Sequence, residues 1–94
     1  MQVQIEFFGL SRVITGKKNE TVDFTEGATF RELVRQLGCT YPGLIGDVIQ
    51  AGQDALQPPN VFHLKDRHFI KQDQLDQYLK PNDHIVLMSL SAGG

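Results

Sequence analysis

The first quarter of the chain alternates apolar and polar residues over two short stretches. Residues 1–8 and 20–24 both follow a period of two, which is typical of strands that bury one face. Residues 11–19, between them, hold a glycine and two lysines, a composition that favours a solvated turn. The pattern therefore predicts an antiparallel hairpin. The side chains predicted to face inward are Val3, Ile5, Phe7, Val22 and Phe24.

A helix is predicted over residues 29–37, where apolar side chains recur at the spacing of one helical face. Thr29 and Glu32 have the spacing of a capping box. Gly38 stands where a left-handed C-terminal cap is expected. The helix is expected to bury Phe30, Leu33, Val34 and Leu37.

A second, weaker helical pattern begins near Pro42 and ends before Gly52. Pro58 and Pro59 then end the segment that connects this helical pattern to the next predicted strand. No role follows from the sequence for residues 52–60. The apolar residues of this helical pattern are Leu44, Ile45, Val48 and Ile49.

Three further elements are predicted in the second half of the chain. Short strands over 61–64 and 68–70 flank the charged turn 65–67, which predicts a second hairpin. Residues 72–79 predict a short helical turn. The dense apolar run 84–90 predicts a central strand that is buried on both faces. The expected anchors of the helical turn are Leu75, Tyr78 and Leu79.

This order of elements predicts an α+β fold with a mixed sheet of four to five strands packed on one main helix. The arrangement is that of the ubiquitin-like β-grasp, in which the first and last strands would pair at the centre of the sheet. We therefore expect one domain over residues 1–90 and a flexible reactive tail over residues 91–94.

Composition and charge narrow the possible functions. The 94 residues are 40% hydrophobic and carry a formal charge of −2, which fits one small domain and disfavours phosphate-driven binding of nucleic acid. Residues 1–7 lack the basic and apolar pattern of a signal peptide, and no apolar run approaches a membrane span. We expect a cytoplasmic protein that contacts no membrane.

Other candidate chemistries have weak support in the sequence. The single cysteine, Cys39, follows the predicted end of the helix, and a buried, inert thiol is the favoured interpretation. No nucleotide-binding glycine motif follows a strand, and no serine lies in a nucleophile elbow. The histidines lack carboxylates at metal-ligand spacing, so we expect no metal site. They are His63, His68 and His84.

Phe8 breaks the alternation of the first strand. It is expected on the outer face of the sheet, where it is a candidate partner surface. The remaining phenylalanines are expected in the core, and they are Phe7, Phe24, Phe30, Phe62 and Phe69.

The chain ends with four small residues, Ser91, Ala92, Gly93 and Gly94, directly after its most apolar strand. Four extended residues span at most about 14 Å, enough for a terminal carboxylate to enter a narrow partner site. That carboxylate is ionised at neutral pH and is a nucleophile toward the α-phosphate of ATP. A frayed end is the alternative interpretation of the two glycines.

The capped helix after two strands, the segment 79–85 and the ending 92–94 together resemble the ubiquitin-like sulfur carriers of the MoaD and ThiS type. The resemblance covers nearly the whole chain. It implies that Gly94 is adenylated by an E1-like enzyme that uses ATP, is converted to a thiocarboxylate with a sulfur donor, and passes sulfur to a synthase large subunit or another acceptor. It implies no bound cofactor and no catalytic activity of the chain itself.

One departure concerns the residues before the tail. Many molybdopterin-type members carry two prolines there, whereas this chain has Ser89, Leu90 and Ser91, so a less rigid tail is expected. A small subunit of molybdopterin synthase is the leading hypothesis. A protein modifier, a carrier for thiamine or tRNA thiolation, and a β-grasp interaction module stay open as alternatives.

Overall fold

The computed structural model describes residues 1–65 and 68–90. Five strands, two helices and two short 3₁₀ turns follow one another along this part of the chain. The elements are β1 (Gln2–Phe7), α1 (Leu10–Thr15), β2 (Asn19–Asp23), α2 (Phe30–Thr40), a 3₁₀ turn (Pro42–Leu44), β3 (Asn60–Leu64), β4 (Phe69–Ile70), a second 3₁₀ turn (Gln72–Gln74) and β5 (His84–Ser89).

The strands form one mixed sheet in the order β2-β1-β5-β3-β4. β1 and β5 pair in parallel at its centre, and the other neighbours pair antiparallel. Both hairpins expected from the sequence are therefore confirmed, as is the central position of the last strand. The sheet, with α2 as its main helix, confirms the expected ubiquitin-like α+β architecture.

Side chains from one face of the sheet and from α2 form the core. Val3, Ile5 and Phe7 are no more than 1% exposed, as the alternation of β1 requires. Phe30 of α2 packs against Phe62 of β3, with ring centroids 5.9 Å apart. The predicted inward positions of β2 are only half-buried, because β2 lies at the edge of the sheet.

Helix α2 begins as the sequence predicts and ends later. The backbone N–H of Glu32 donates to Thr29 Oγ1 over 3.3 Å, so Thr29 is the N-cap. The prediction that Gly38 ends the helix is wrong, because the helix continues to Thr40. Gly38 is buried in the helix, and a Cβ there would lie at an ordinary contact distance of 3.7 Å from Ile45 and Ile49, so neither a turn nor lack of space requires glycine at this position.

The solvated turn predicted between the first two strands is wrong, because helix α1 forms there. Gly9 and Gly16 flank it with φ of 70° and 71°, a region that glycine enters without strain. Ser11 is buried, whereas Leu10 and Val13 remain 48% and 79% exposed. The apolar residues of α1 are thus largely exposed, so the helix has no buried apolar face of the kind that a search for amphipathic helices relies on.

The prediction of a second helix after Pro42 is also wrong. Only a single 3₁₀ turn forms, and Gly46, with φ of 103°, redirects the chain. Ile49 then forms isolated bridges to Ile45 and Leu56. Leu44, Val48 and Ile49 are buried and Ile45 is partly exposed, in a compact loop whose later part contains a cis Pro58–Pro59 bond.

Three expectations about single side chains are corrected by their exposure. Tyr78 is 69% exposed, so Leu75 and Leu79 alone anchor the segment that follows β4. Phe69 is 39% exposed on the short edge strand β4, where it stacks on His63 with centroids 4.5 Å apart. Cys39 is exposed, because α2 extends past it and turns it away from the core.

No helix that the structure describes is long and apolar enough to cross a membrane.

Candidate functional site: the exit of the C-terminal tail

The central strand β5 ends at Ser89, and Leu90 is the last residue that the structure describes. The backbone N–H of Leu90 donates to the carbonyl of Pro59 over 3.0 Å, and the Leu90 side chain is 51% exposed. The predicted reactive residue Gly94 and the predicted tail residues Ser91, Ala92 and Gly93 lie outside the described residues. The candidate site is therefore the tail exit, which we define as the surface around Leu90.

Phe8, which the interrupted alternation of β1 predicts to be exposed, lies at the tail exit. Its side chain is 57% exposed, and its backbone N–H donates to the carbonyl of Leu87 over 3.1 Å. This bond continues the parallel pairing of β1 with β5 beyond the end of β1. Phe8 and the C-terminal end of β5 are thus neighbours, and the predicted exposure of Phe8 is confirmed.

Helix α1 adds a second apolar element to the tail exit. The buried Ser11 hydroxyl lies 3.1 Å from the carbonyl oxygen of Phe8 and 3.2 Å from that of Leu87, and it can donate to either. The Ser11 side chain thus joins α1 to the ends of both central strands. The elements that meet at this end of the sheet carry four exposed apolar side chains, which we call the exit cluster: Phe8, Leu10, Val13 and Leu90.

Sequence reasoning missed the helical part of the exit cluster. The available signal was the pair of glycines that bracket residues 10–15, together with apolar Leu10, Val13 and Ile14 at helical spacing. Of these three side chains only Ile14 packs against the core, and only partly. A search for a buried helical face therefore passes over this segment.

Charged side chains lie on the outer face of the sheet, where Lys65 and His84 stand at the start of β5, the end opposite to Leu90. Glu6 Oε1 is 3.4 Å from His84 Nε2 and 3.5 Å from Lys65 Nζ. Glu6 pairs across the strands with Val86, which pairs in turn with His63. These contacts place one carboxylate between a lysine and an imidazole, on the strands that also lead to the tail exit.

A second polar contact joins the edge strand β2 to the end of α2. The Tyr41 hydroxyl donates to Glu20, and Lys17 Nζ lies 3.0 Å from the same carboxylate oxygen. Two hydrogen bonds lower the pKa of Glu20, and the bond from Tyr41 has a larger effect than the bond from Lys17. The pKa of Tyr41 is raised mainly by burial of its hydroxyl group and, to a smaller extent, by the hydrogen bond to Glu20. This contact lies at the β2 edge of the molecule and stabilises the fold.

The histidines occupy separate positions. His63 stacks on Phe69, and His84 faces Glu6. Within residues 1–65 and 68–90, no three His, Cys, Asp or Glu side chains form a group that could hold a metal ion.

Comparison with known proteins agrees with the resemblance noted in the sequence. The model of the ThiS family matches residues 5–94. The chain is 26% identical over 94 residues to the molybdopterin synthase sulfur carrier subunit of Chlamydomonas reinhardtii, and the match covers 100% of both chains. It is 28% identical over 95 residues to small archaeal modifier protein 3 of Haloferax volcanii, again over 100% of both.

A solved structure supports the fold independently. The crystal structure of SAMP1 from Haloferax volcanii superposes with a TM-score of 0.81 over 100% of both chains at 17% identity. At this identity the likeness concerns the ubiquitin-like architecture alone. The family match extends over all the described strands except the first residues of β1 and continues to the last residue of the chain. The chain therefore belongs to the ThiS family, whose ubiquitin-like members are small sulfur carriers and protein modifiers.

Proposed function

We propose that this chain is a sulfur carrier that delivers sulfur in cofactor biosynthesis through a thiocarboxylate formed on Gly94. The observation that carries the proposal is the position of the tail exit. The strand that leads to the tail is the central strand of the sheet, and it ends beside the exposed exit cluster. A partner that binds the exit cluster would have the chain end within about 14 Å, the span of four extended residues.

The proposed chemistry needs an ionised carboxylate and a partner enzyme. A carboxylate oxygen of Gly94 attacks the α-phosphorus of ATP, and pyrophosphate leaves with the electron pair of the broken P–O bond. A hydrosulfide-level nucleophile from a sulfur donor then attacks the acyl carbon, and AMP leaves. The product is a C-terminal thiocarboxylate. ATP is assigned to an E1-like partner, because the sequence contains no phosphate-binding glycine motif.

The exit cluster is the proposed docking surface for these partners. Exposed aromatic and aliphatic side chains that are rimmed by charge are typical of protein interfaces. Phe8 is the proposed anchor, because a rigid aromatic side chain buries a large apolar area at a low entropic cost. Leu10 and Val13 of α1 extend the same surface, and Glu6, two residues before Phe8 on the outer face, adds a charged group beside it.

The choice of acceptor rests on the relatives. The Chlamydomonas relative is a molybdopterin synthase sulfur carrier subunit, which supports a synthase large subunit as the proposed acceptor. The Haloferax relative is a modifier protein, which supports the second candidate, an isopeptide bond between Gly94 and a target lysine. Both functions use the same activated carboxylate. We further propose that residues 1–90 are the folded domain, that 91–94 are its reactive tail, and that the protein acts in the cytoplasm.

Removal of Gly94 tests the proposal. The truncated protein should lose adenylation by the E1-like partner and keep the thermal unfolding midpoint of the full chain, because the described core ends before the tail. A variant with one alanine added after Gly94 is the matched control for chain length, and it should also be inactive. Full activity of either variant would contradict the proposal and favour an interaction module.

A further inference from the structure

The tail exit is bordered by a loop for which the sequence suggests no role. Residues 57–60, which we call the exit loop, connect the compact segment after α2 to β3. The Pro59 carbonyl in this loop accepts the backbone N–H of Leu90 over 3.0 Å. This is the last hydrogen bond between backbone groups that the described chain makes before the tail.

The exit loop is fixed to the core at both ends. The backbone N–H of Gln57 donates to the carbonyl of the buried Val48 over 2.8 Å. At the other end, Asn60 begins β3 and pairs across the sheet with Ser89. Pro58 and Pro59 restrict φ between these two points. The acceptor for Leu90 therefore belongs to a loop with few alternative conformations.

Asn60 holds the loop together through its side chain, which is 6% exposed. Its Nδ2 donates to the carbonyl of Gln57 over 2.8 Å and to that of Asp47 over 3.2 Å. Its own backbone N–H also donates to the Gln57 carbonyl over 3.0 Å. An amide nitrogen has two hydrogens to donate. Here one closes the exit loop on itself at Gln57, and the other ties it to Asp47 in the segment that follows α2.

We propose that Asn60 is a positioning residue, which fixes the exit loop so that the Pro59 carbonyl sets the direction in which the chain leaves the sheet at Leu90. The inference rests on the proposed function for its meaning, because only a reactive tail gains from a fixed origin. If the direction of the chain at Leu90 is fixed, the terminus of a larger fraction of carrier molecules points into the partner. The apparent affinity for the partner then rises in proportion to that fraction.

The same hydrogen bond lies just before the tail, for which the sequence predicts lower rigidity. Many molybdopterin-type members carry two prolines before the final residues, whereas here the backbone N–H of Leu90 is free of a proline ring and donates a hydrogen bond. The two prolines of this region lie instead in the neighbouring loop, beside the carbonyl that accepts this bond. Restriction of the tail origin is thus supplied by a hydrogen bond to a stiff loop.

The test compares Asn60→Ala with the intact protein by two measurements. The first is amide hydrogen exchange, in which the Leu90 N–H should lose protection by about tenfold while the Leu87 N–H in β5 should not change. The second is adenylation by the E1-like partner below the unfolding temperature of the variant. There KM for the carrier should rise by about tenfold at unchanged kcat, because fewer molecules present the tail correctly.

The matched control is Gln50→Ala. Gln50 Nε2 donates to the Leu56 carbonyl over 3.2 Å, so this variant also removes a bond between a side chain and the backbone of the same connection, but none that holds Pro59. It should leave both measurements as in the intact protein. An unchanged Leu90 exchange rate in Asn60→Ala would overturn the inference whether or not adenylation occurs. Faster exchange with an unchanged KM would show a purely structural role and would also overturn it.

Discussion

The two faces of the central strands β1 and β5 have different environments. On the inner face Ile5, Ile85 and Leu87 have no exposed surface, and α2 side chains cover them. On the outer face the same strands carry Glu6 and His84, and beyond the end of β1 Phe8 is 57% exposed. One pair of strands therefore supplies both the stability of the fold and the candidate surface for partners, and the alternation of side chains separates the two roles.

This difference predicts which substitutions affect which property. A side chain without exposed surface contributes its full transfer free energy to folding, whereas one that stays half-exposed contributes much less. Substitutions on the inner face should therefore lower stability, and substitutions in the exit cluster or the tail should lower partner binding. Substitutions at four positions, Leu33, Gly93, Phe8 and Tyr41, would test whether the two properties separate in this way.

Leu33→Ala on α2 should have the largest effect on stability. Leu33 has no exposed surface, and the loss of a buried leucine side chain costs about 2–5 kcal/mol. Urea unfolding would measure the loss. Cys39→Ala, on the exposed side of the same helix, should change the free energy of unfolding by less than about 0.5 kcal/mol. Similar losses in both variants would contradict the assignment of the core.

Gly93→Val should affect the tail and not the fold. A β-branched residue restricts the backbone and adds bulk to a segment proposed to enter a narrow partner site. Adenylation should fall by about 100-fold, and the unfolding midpoint should stay that of the intact protein. An equal loss of stability and adenylation would place Gly93 in the packed body of the protein.

Phe8→Ala should weaken partner binding by about tenfold, or 1.4 kcal/mol, with a smaller effect on stability. Tyr78→Ala is the matched control, because Tyr78 is a similarly exposed aromatic residue near the start of α2, where it pairs with Thr29. Isothermal titration with the activating enzyme would separate the two. Equal weakening in both variants would mean that the exit cluster is not the docking surface.

Tyr41→Phe should lower stability by about 1 kcal/mol, the smallest of these effects, because the bond to Glu20 is only partly buried. The Tyr41 hydroxyl lowers the pKa of Glu20 in the folded state. The contribution of this hydrogen bond to the free energy of unfolding is therefore complete above the pKa that Glu20 has in the unfolded chain. It is lost as the pH falls through the lower pKa that Glu20 has in the folded protein. Urea unfolding at several pH values should show the two proteins converging in acid.

The sequence predicted the elements whose apolar side chains face the core at regular spacing. The strands and α2 are of this kind, since their inward residues are buried almost without exception outside the edge strand β2. Residues 42–49 mimic a helical period, yet Gly46 breaks the helix and Ile49 bridges to Leu56. The turn at Gly46 and the bridge from Ile49 to Leu56 therefore decide the structure of this segment, and the spacing of its apolar residues does not reveal either of them.

The candidate site was predicted only in part for a related reason. Phe8 was recognised because it breaks an alternation, and its exposure is confirmed. Helix α1 was missed because Leu10 and Val13 are apolar but exposed, so hydrophobicity did not indicate burial. The contribution of Pro59 depends on a hydrogen bond to Leu90, 31 positions away in the printed sequence, which no local pattern reveals.

The most direct test of a reactive terminus is the intact mass of the chain after incubation with its E1-like partner, ATP and a sulfur donor. We expect one sulfur-for-oxygen exchange at Gly94 that survives mild reduction and persists in Cys39→Ala. Cys39 is exposed, so storage of sulfur there as a persulfide is the competing outcome, and that added mass would vanish under both conditions. An unchanged mass with competent partners, or a mass gain that depends on Cys39, would contradict the account.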